Sequence, residues 1–181
     1  MSSIIFIETD RLILRQWQAT DCEPYIKMNL DKDVMEYFPT ILSSEQSLRH
    51  INKMTEKIDQ HGYGLFAVER KDTQSFIGFT GFSRPNFNAF FTPCVEIGWR
   101  MAKEHWNQGF ATEAANACLL FGFEKFKFEE IYSFTSIHNL NSERVMKKIG
   151  MKQVGKFDHP LLEKDHCFQK LILYKIEDKK H

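Results

Sequence analysis

The chain has 181 residues, of which 43% are hydrophobic, and this size fits one domain with a substantial core. Its 24 basic and 24 acidic residues cancel, so no global charge recruits nucleic acid or an acidic membrane surface. The four cysteines form no CxxC pair, which argues against a zinc site and a dense disulfide framework. We therefore expect a single domain over residues 1–181 that binds no metal.

The N-terminal segment "MSSIIFIETD" has a short apolar run and no basic n-region. No later segment approaches the roughly 20 apolar residues of a membrane span. These features predict a cytoplasmic protein with neither a membrane nor a nucleic acid as partner.

The first half of the chain alternates between strand and helix patterns. "RLILRQW" predicts a strand, and the following "ATDCEPYIKMNL" predicts a helix with Thr20 as N-cap and Glu23 completing a capping box. "SEQSLRHINKMTEKIDQH" predicts a second helix with Leu48 on its apolar face and Gly62 as its C-cap. "YGLFAVER" and "SFIGFTGFS", joined by a polar turn, predict an antiparallel hairpin.

The second half continues the mixture of strands and helices. In "CVEIGWRMA" the apolar residues point one way, whereas Glu96, Gly98 and Arg100 point the other, as in a half-buried strand. A long helix near Gly109, the strand "IYSFTSI", the short helix "SERVMKKIG" and a last pair of strands follow. The chain is therefore predicted to be a mixed α/β (α+β) protein.

The segment "HWNQGFATEAA" places Gly109 at the start of the long helix. The first N–H groups of a helix lack intrahelical partners, and a glycine lets the backbone approach a ligand closely. Ala111 keeps a side chain out of the way and the helix dipole adds partial positive charge, so a pyrophosphate would fit. The same residues would equally suit a plain strand-to-helix turn.

Gly98 interrupts an otherwise regular strand pattern. Such a glycine marks either a bulge, a place where a ligand passes close to the backbone, or a simple packing position. An extended ligand with amides, such as a pantetheine arm, would use unpaired backbone groups as a further strand does.

Three segments carry a resemblance to a known family: "CVEIGWRMAKEHWNQGFATEAA", "SFTSIHNLNSERVMKKIGM" and "GKFDHPLLEKDHCFQKLILY". They resemble the GNAT superfamily of acetyl-CoA-dependent N-acetyltransferases and, within it, the bacterial ribosomal-protein N-terminal acetyltransferases. The resemblance covers nearly the whole chain. It implies the GNAT fold, which is a mixed, mostly antiparallel, twisted sheet of about seven strands with splayed central strands and about four flanking helices.

The superfamily's pyrophosphate loop is Arg or Gln, two residues, Gly, one residue, and Gly or Ala. Gly109 and Ala111 fill its small positions, and Trp106 stands first, as is common in this branch. The resemblance implies that backbone atoms near Trp99 hold the pantetheine and that the loop holds the pyrophosphate. The implied cofactor-binding residues are Gly98, Trp99, Arg100, Met101, Trp106, Asn107, Gln108, Gly109, Phe110, Ala111, Thr112, Asn139 and Ser142.

A second family signature is Asn-x-x-Ser ahead of a short helix that ends in Gly and an apolar residue, here Asn139, Ser142, Gly150 and Met151. Both residue types are also favoured as helix caps. The tyrosine that protonates the departing thiolate in many relatives is replaced by Met146, and the resemblance implies Ser142 as the general acid instead. A glutamate base used elsewhere in the superfamily would fall on Phe134, so that role does not carry over.

Acetylation requires a neutral amine, although amine pKa values lie near 8 to 10.4, so a base must accept a proton. Glu96 is the predicted base, because partial burial beside the expected thioester would raise its pKa. The alternative is that Glu96 pairs with an Arg or Lys. His159 and His166 are further candidates, and a backbone N–H of the splayed strand would stabilise the oxyanion.

The acceptor site is predicted near aromatic residues, with Trp17, Phe38 and His159 as substrate contacts. Further aromatic candidates are Tyr37, Phe82, Phe90 and Phe91.

Cys118 lies among apolar helix residues, which suits a buried thiol and excludes a covalent acetyl-cysteine. The predicted activity is direct acetyl transfer from acetyl-CoA to a primary amine of a small molecule, lysine or protein N-terminus, by a monomer or homodimer. The alternative is a non-catalytic acyl-CoA-binding or regulatory module.

Overall fold

A computed structural model describes residues 4–164 and 166–178. An eight-stranded sheet has the order β1-β2-β3-β4-β5-β6-β8-β7, in which β5 and β6 are parallel and all other neighbours are antiparallel. The strands are β1 Ile5–Glu8, β2 Leu12–Arg15, β3 Leu65–Arg70, β4 Ser75–Ser83, β5 Glu96–Met101, β6 Glu130–Ser136, β7 Lys152–Asp158 and β8 Lys170–Glu177. The helices are α1 Cys22–Leu30, α2 Ser44–His61, α3 Phe110–Phe126 and α4 Leu140–Lys148.

The predicted mixed, mostly antiparallel sheet with four helices is confirmed, and the sheet has one strand more than the expected seven. The additional strand is β1, which pairs with β2 at the edge of the sheet. The strand is only four residues long, which is too short to show an alternating pattern. Its pairing partners lie in β2, from Ile13 to Arg15.

Helix ends follow the sequence closely at α2 and less closely at α1. Gly62 ends α2 with a left-handed φ of 72°, as predicted. Leu48 is 41% exposed, so its predicted place on the apolar face is wrong, because it lies at the edge of that face. Thr20 is not an N-cap: a 3₁₀ turn over Ala19–Asp21 precedes α1, and Asp21 accepts a hydrogen bond from the Gln18 N–H at 2.8 Å.

The two faces of β5 are covered by different helices. Ile97 is fully buried and pairs with Phe82, whose ring lies against Gly122 of α3. Arg100 faces the other way, toward α1, because its guanidinium lies 5.3 Å from the centre of the Phe79 ring and Phe79 contacts Tyr25 of α1. Glu96 and Gly98 alternate with Ile97 and therefore share the α1 side with Arg100.

Two further expectations concern membranes and metals. None of the helices in residues 4–164 and 166–178 is long and apolar enough to cross a membrane. Within those same residues, no group of three His, Cys, Asp or Glu side chains is placed to hold a metal ion.

Candidate active site

The two central strands diverge at the start of β5. Glu96 and Tyr132 form the one registered pair between β5 and β6 in the described chain, and the Tyr132 N–H donates to the Val95 carbonyl at 2.9 Å. Pairing of β5 with β4 is continuous from Glu96 to Met101 without a register shift. Of the alternatives considered for Gly98, a bulge is therefore excluded, and β5 leaves β6 because the strands splay. The resulting gap exposes a backbone edge that a ligand with amides would match.

The loop that follows β5 is built from unusual backbone conformations. Asn107 and Gly109 have φ values of 58° and 83°, and Gly109 is the N-cap of α3. In the described structure no side chain caps this end, and the first intrahelical bond runs from the Glu113 N–H to the Gly109 carbonyl at 3.0 Å. The N–H groups of the first turn thus remain available to an anion.

Trp106 connects the end of the strand to this loop. Its indole N–H donates to the Met101 carbonyl at 2.8 Å, while its ring packs against the core. Asn107, Gln108 and Gly109 are exposed. Phe110, in contrast, is only 4% exposed, so any ligand contact there would come from its backbone.

An ion pair between Arg11 and Glu113, which the sequence did not predict, contacts the loop before α3. Arg11 donates to the Gln108 carbonyl at 3.0 Å and to the Glu113 carboxylate at 2.7 Å, and its guanidinium lies 4.5 Å from the centre of the Phe110 ring. Thr9 also donates to Glu113 at 2.6 Å. Because Arg11 and Glu113 are 102 positions apart, only the pairing of distant strands and α3 brings them together.

Asn139 caps α4, which is one of the roles considered for it. Its side-chain oxygen accepts a hydrogen bond from the Ser142 N–H at 3.1 Å. Ser142 is partly exposed one turn into the helix. Met146, in the position of the tyrosine discussed above, is 1% exposed and belongs to the core.

Glu96 lies where the splay begins, and its carboxylate has one hydrogen-bond partner among the described residues. The Ser83 hydroxyl donates to its carboxylate at 2.9 Å, and no Arg or Lys of the described chain forms an ion pair with it. Burial raises the pKa of the Glu96 carboxyl to about 7, against the opposing effect of the Ser83 hydrogen bond. The predicted elevation of the pKa thus has a structural cause.

The nearby thiols are neutral at physiological pH. Burial and the Glu96 charge raise the pKa of the Cys94 thiol to about 11. Burial within α3 also raises the pKa of Cys118, which fits the predicted inert thiol.

The sequence is similar to those of known proteins. A family model described as "Acetyltransferase (GNAT) domain" matches residues 11–152. This chain belongs to the GNAT family. The uncharacterized N-acetyltransferase YnaD of Bacillus subtilis (strain 168) is 33% identical over 152 residues, which cover 83% of this chain and 85% of that protein.

Solved structures confirm the GNAT fold. A GNAT-family acetyltransferase from Bacillus anthracis is 29% identical, with a TM-score of 0.79 over 96% of this chain and 98% of that chain. A ribosomal-protein-S5-alanine acetyltransferase from Vibrio fischeri is 17% identical, with a TM-score of 0.74 over 99% and 98% of the two chains. At that identity the second likeness concerns the fold alone. Both the predicted family and the predicted enzyme class, an acetyltransferase, are confirmed.

The residues predicted to contact the acceptor lie in different environments. Trp17 is a core residue, 7% exposed, whose indole N–H donates to the Leu65 carbonyl at 2.8 Å. This burial leaves little of its surface open to a substrate, and the predicted substrate contact of Trp17 stays a prediction. Phe38, by contrast, is partly exposed, and its ring centre lies 4.0 Å from the Arg100 guanidinium carbon. It therefore lies on the side of β5 that carries Glu96.

His159 lies at the far end of a separate aromatic cluster. Its ring centre is 4.9 Å from that of Phe87, its Nδ1 accepts from the Leu161 N–H at 3.2 Å, and burial lowers its pKa. The cluster's further members include Phe91, Tyr132, Phe134 and Phe157. Since Tyr132 is the register partner of Glu96, this cluster borders the same splay. His166 accepts from the Phe168 N–H at 3.1 Å in the following loop.

The remaining aromatic candidates are divided between core and surface. Phe82 and Phe91 are buried, Tyr37 is partly exposed, and Phe90 is 73% exposed with its ring 3.6 Å from the Cβ position of Gly155.

Proposed function

We propose that this GNAT enzyme transfers an acetyl group from acetyl-CoA to a primary amine by direct attack in a ternary complex. The acceptor is a small-molecule amine, a lysine or a protein N-terminus. The observation that carries this proposal is the position of the Glu96 carboxyl, which lies where β5 leaves β6 and accepts a hydrogen bond from Ser83. Loss of solvation at this position raises its pKa to about 7.

The loop before α3 fits the anionic part of the donor. The positive φ of Gly109 and the small side chain of Ala111 allow close approach, and the helix dipole favours negative charge. The residues proposed to hold acetyl-CoA are Gly98, Trp99, Arg100, Met101, Trp106, Asn107, Gln108, Gly109, Phe110, Ala111, Thr112, Asn139 and Ser142. Among these, Arg100 and Phe110 would contribute backbone atoms, since their side chains point into α1 and the core.

Glu96 would accept the proton of the attacking amine, directly or through one water. A pKa near 7 suits this role, because the carboxylate is then both populated and basic at neutral pH. A backbone N–H of β5 would stabilise negative charge on the acetyl oxygen, and Ser142 would protonate the departing thiolate. The raised thiol pKa values of Cys94 and Cys118 favour direct attack over an acetyl-enzyme.

We further propose that the enzyme acts in the cytoplasm as a monomer or homodimer, without a metal. The competing proposal is a non-catalytic acyl-CoA-binding or regulatory module. Met146 favours it, because the buried methionine supplies no acid where many relatives have a tyrosine.

A panel of amines and peptides with free α-amines, read by release of free thiol from acetyl-CoA, distinguishes the two proposals. The enzyme releases thiol in proportion to at least one amine. Tight acetyl-CoA binding without turnover on any acceptor would support the binding module instead.

A further inference from the structure

Arg100 extends from β5 toward α1, on the same side of the sheet as Glu96. Its guanidinium lies 4.0 Å from the centre of the Phe38 ring and 5.3 Å from that of Phe79. Its Nη1 donates to the Asn29 side-chain oxygen at 2.8 Å. Phe38 follows α1 and is 38% exposed, so it forms a partly open cover over the guanidinium.

A buried polar network fixes the position of this guanidinium. Asn29 and Ser47 are fully buried, and the Asn29 side-chain nitrogen donates to the Ser47 hydroxyl at 3.0 Å. The Asn29 oxygen is thereby directed at Arg100. Such a network restricts the long Arg side chain to one orientation, which lowers the entropic cost of binding a ligand.

The charge of Arg100 has no anionic partner among the described residues. None of their ion pairs includes Arg100, and its Nε is buried without a hydrogen bond. An arginine stays protonated in proteins, so burial does not remove the charge. Arg100 is partly exposed, but its Nε is withdrawn from water. A cation withdrawn from water is costly unless it is paired, and arginines in such positions are matched to carboxylates or phosphates.

The face of β5 that carries Arg100 also contains open space. Gly98 lies between Glu96 and Arg100, and nothing in the described chain lies within 4 Å of the Cβ position at Gly98. Cα atoms four residues apart in a strand are separated by about 13 Å. On this face, the open space at Gly98 therefore lies between a proposed base and an unpaired cation.

We propose that Arg100 binds a carboxylate of the acceptor, so that the preferred substrate is an amine that also carries an acidic group. This inference rests on the proposed acetyl transfer. The donor phosphates are not the partner of this cation, because their proposed site at Gly109 lies beside Arg11 and Phe110, on the α3 side. Arg100 faces the α1 side.

The test uses pairs of acceptors in which a carboxylate is replaced by a carboxamide. Because this replacement also changes the pKa of the amine, kcat/KM is calculated on the concentration of the neutral amine. Glycine is compared with glycinamide, and short C-terminally amidated peptides are compared as pairs with Glu or Gln at position 1, 2 or 3. For each pair, kcat/KM is measured with the wild type, Arg100→Gln, Arg100→Lys and Arg49→Gln. Arg49 is the matched control, because it is an exposed arginine of α2 paired with Glu45. CoA binding by calorimetry reports whether each variant is folded.

The wild type is expected to prefer the acidic member of at least one pair by roughly 10- to 100-fold, the range for a hydrogen bond to a charged group. Arg100→Gln reduces that ratio to about one, mainly through KM, and Arg100→Lys restores part of it. Arg49→Gln retains the full preference. A purely structural role for Arg100 would lower kcat/KM equally for both members of each pair and would overturn the proposal.

The failures of the two proposals are distinguishable. Turnover of neutral amines with no acidic preference in any pair refutes the role of Arg100 and leaves acetyl transfer intact. If no amine is turned over, binding of the N-acetylated peptides to the CoA-loaded protein still tests Arg100. Equal binding of the Glu and Gln products by the wild type would then overturn the inference.

Discussion

At the scale of single residues, the placement of Glu96 matters most. Its carboxylate receives a hydrogen bond from Ser83, and no cation of the described chain forms an ion pair with it. Burial therefore dominates and the pKa rises to about 7. The alternating pattern of β5 predicted the face of the strand on which Glu96 lies. It did not predict the hydrogen bond with Ser83, because that bond joins two strands.

The first prediction concerns the pH dependence of the reaction. The value of kcat/KM, calculated on the concentration of the neutral amine, should rise with pH and reach a plateau above about 7, as the Glu96 carboxylate forms. Glu96→Gln should lower kcat by roughly 100-fold or more, with little change in the CoA dissociation constant. Ser83→Ala is the matched variant, because it removes a hydrogen bond that lowers the pKa of Glu96. In this variant, the rise of kcat/KM should occur at higher pH. A Glu96→Gln enzyme with wild-type turnover would eliminate Glu96 as the base.

The second prediction concerns the stability of the same variant. The folded-state pKa of Glu96 lies above its unfolded value of 4.5, so the folded state binds more protons between these values and stability falls as pH rises through that window. Glu96→Gln removes this effect. The free energy of unfolding of Glu96→Gln minus that of the wild type should therefore be roughly 1 to 3 kcal/mol higher at pH 8 than at pH 4. Urea unfolding at the two pH values measures the difference, and equal effects at both would contradict the assigned burial.

At the scale of elements, the loop between β5 and α3 combines a predictable and an unpredictable part. The glycine-to-helix pattern at Gly109 predicted the free N–H groups at the start of α3. The support from Arg11 was invisible, because it crosses 102 positions. Gly98 shows the same limit: a strand glycine was the correct signal for open space, but the gap comes from the divergence of β5 and β6.

The third prediction concerns this loop. Gly109→Val should abolish measurable acetyl-CoA binding, because a β-branched residue disfavours the φ of 83° and brings side-chain atoms to the proposed pyrophosphate site. Gly150→Val is the control, since Gly150 has nearly the same φ, 82°, at the end of α4. Both variants should lose similar stability, about 1 to 3 kcal/mol, and only Gly150→Val should bind acetyl-CoA. An unaltered dissociation constant for Gly109→Val by calorimetry would refute the loop assignment.

At the scale of the whole molecule, one sheet runs through all eight strands of the described chain. Its two central strands, β5 and β6, are joined there by one registered pair, Glu96 and Tyr132. The sequence predicted the order of strands and helices because long periodic segments dominate it. It did not predict that β1 would extend the sheet, nor which of the aromatic candidates, such as Trp17, would belong to the core. Both depend on which segments pack together, and the position of a residue in the chain does not reveal that.

The fourth prediction concerns a buried ion pair that joins β2 to the turn before α1. Arg15 donates to both Asp21 oxygens, at 2.7 and 2.8 Å, and to Glu69 at 2.7 Å. Asp21→Asn should lower the free energy of unfolding by about 3 to 5 kcal/mol, because it leaves a buried guanidinium less well paired. Asp72→Asn, which breaks an exposed pair with Arg70, should have little effect. Equal losses in the two variants by urea unfolding would contradict this account.

The most direct test of the central claim measures thiol release and acetylated amine together in a single reaction with acetyl-CoA and an amine panel. The account predicts one free thiol for each acetylated amine, with both products strongly reduced in Glu96→Gln. Thiol release that is independent of the amine, or acetyl-CoA binding with no acetylated product from any amine, would contradict it.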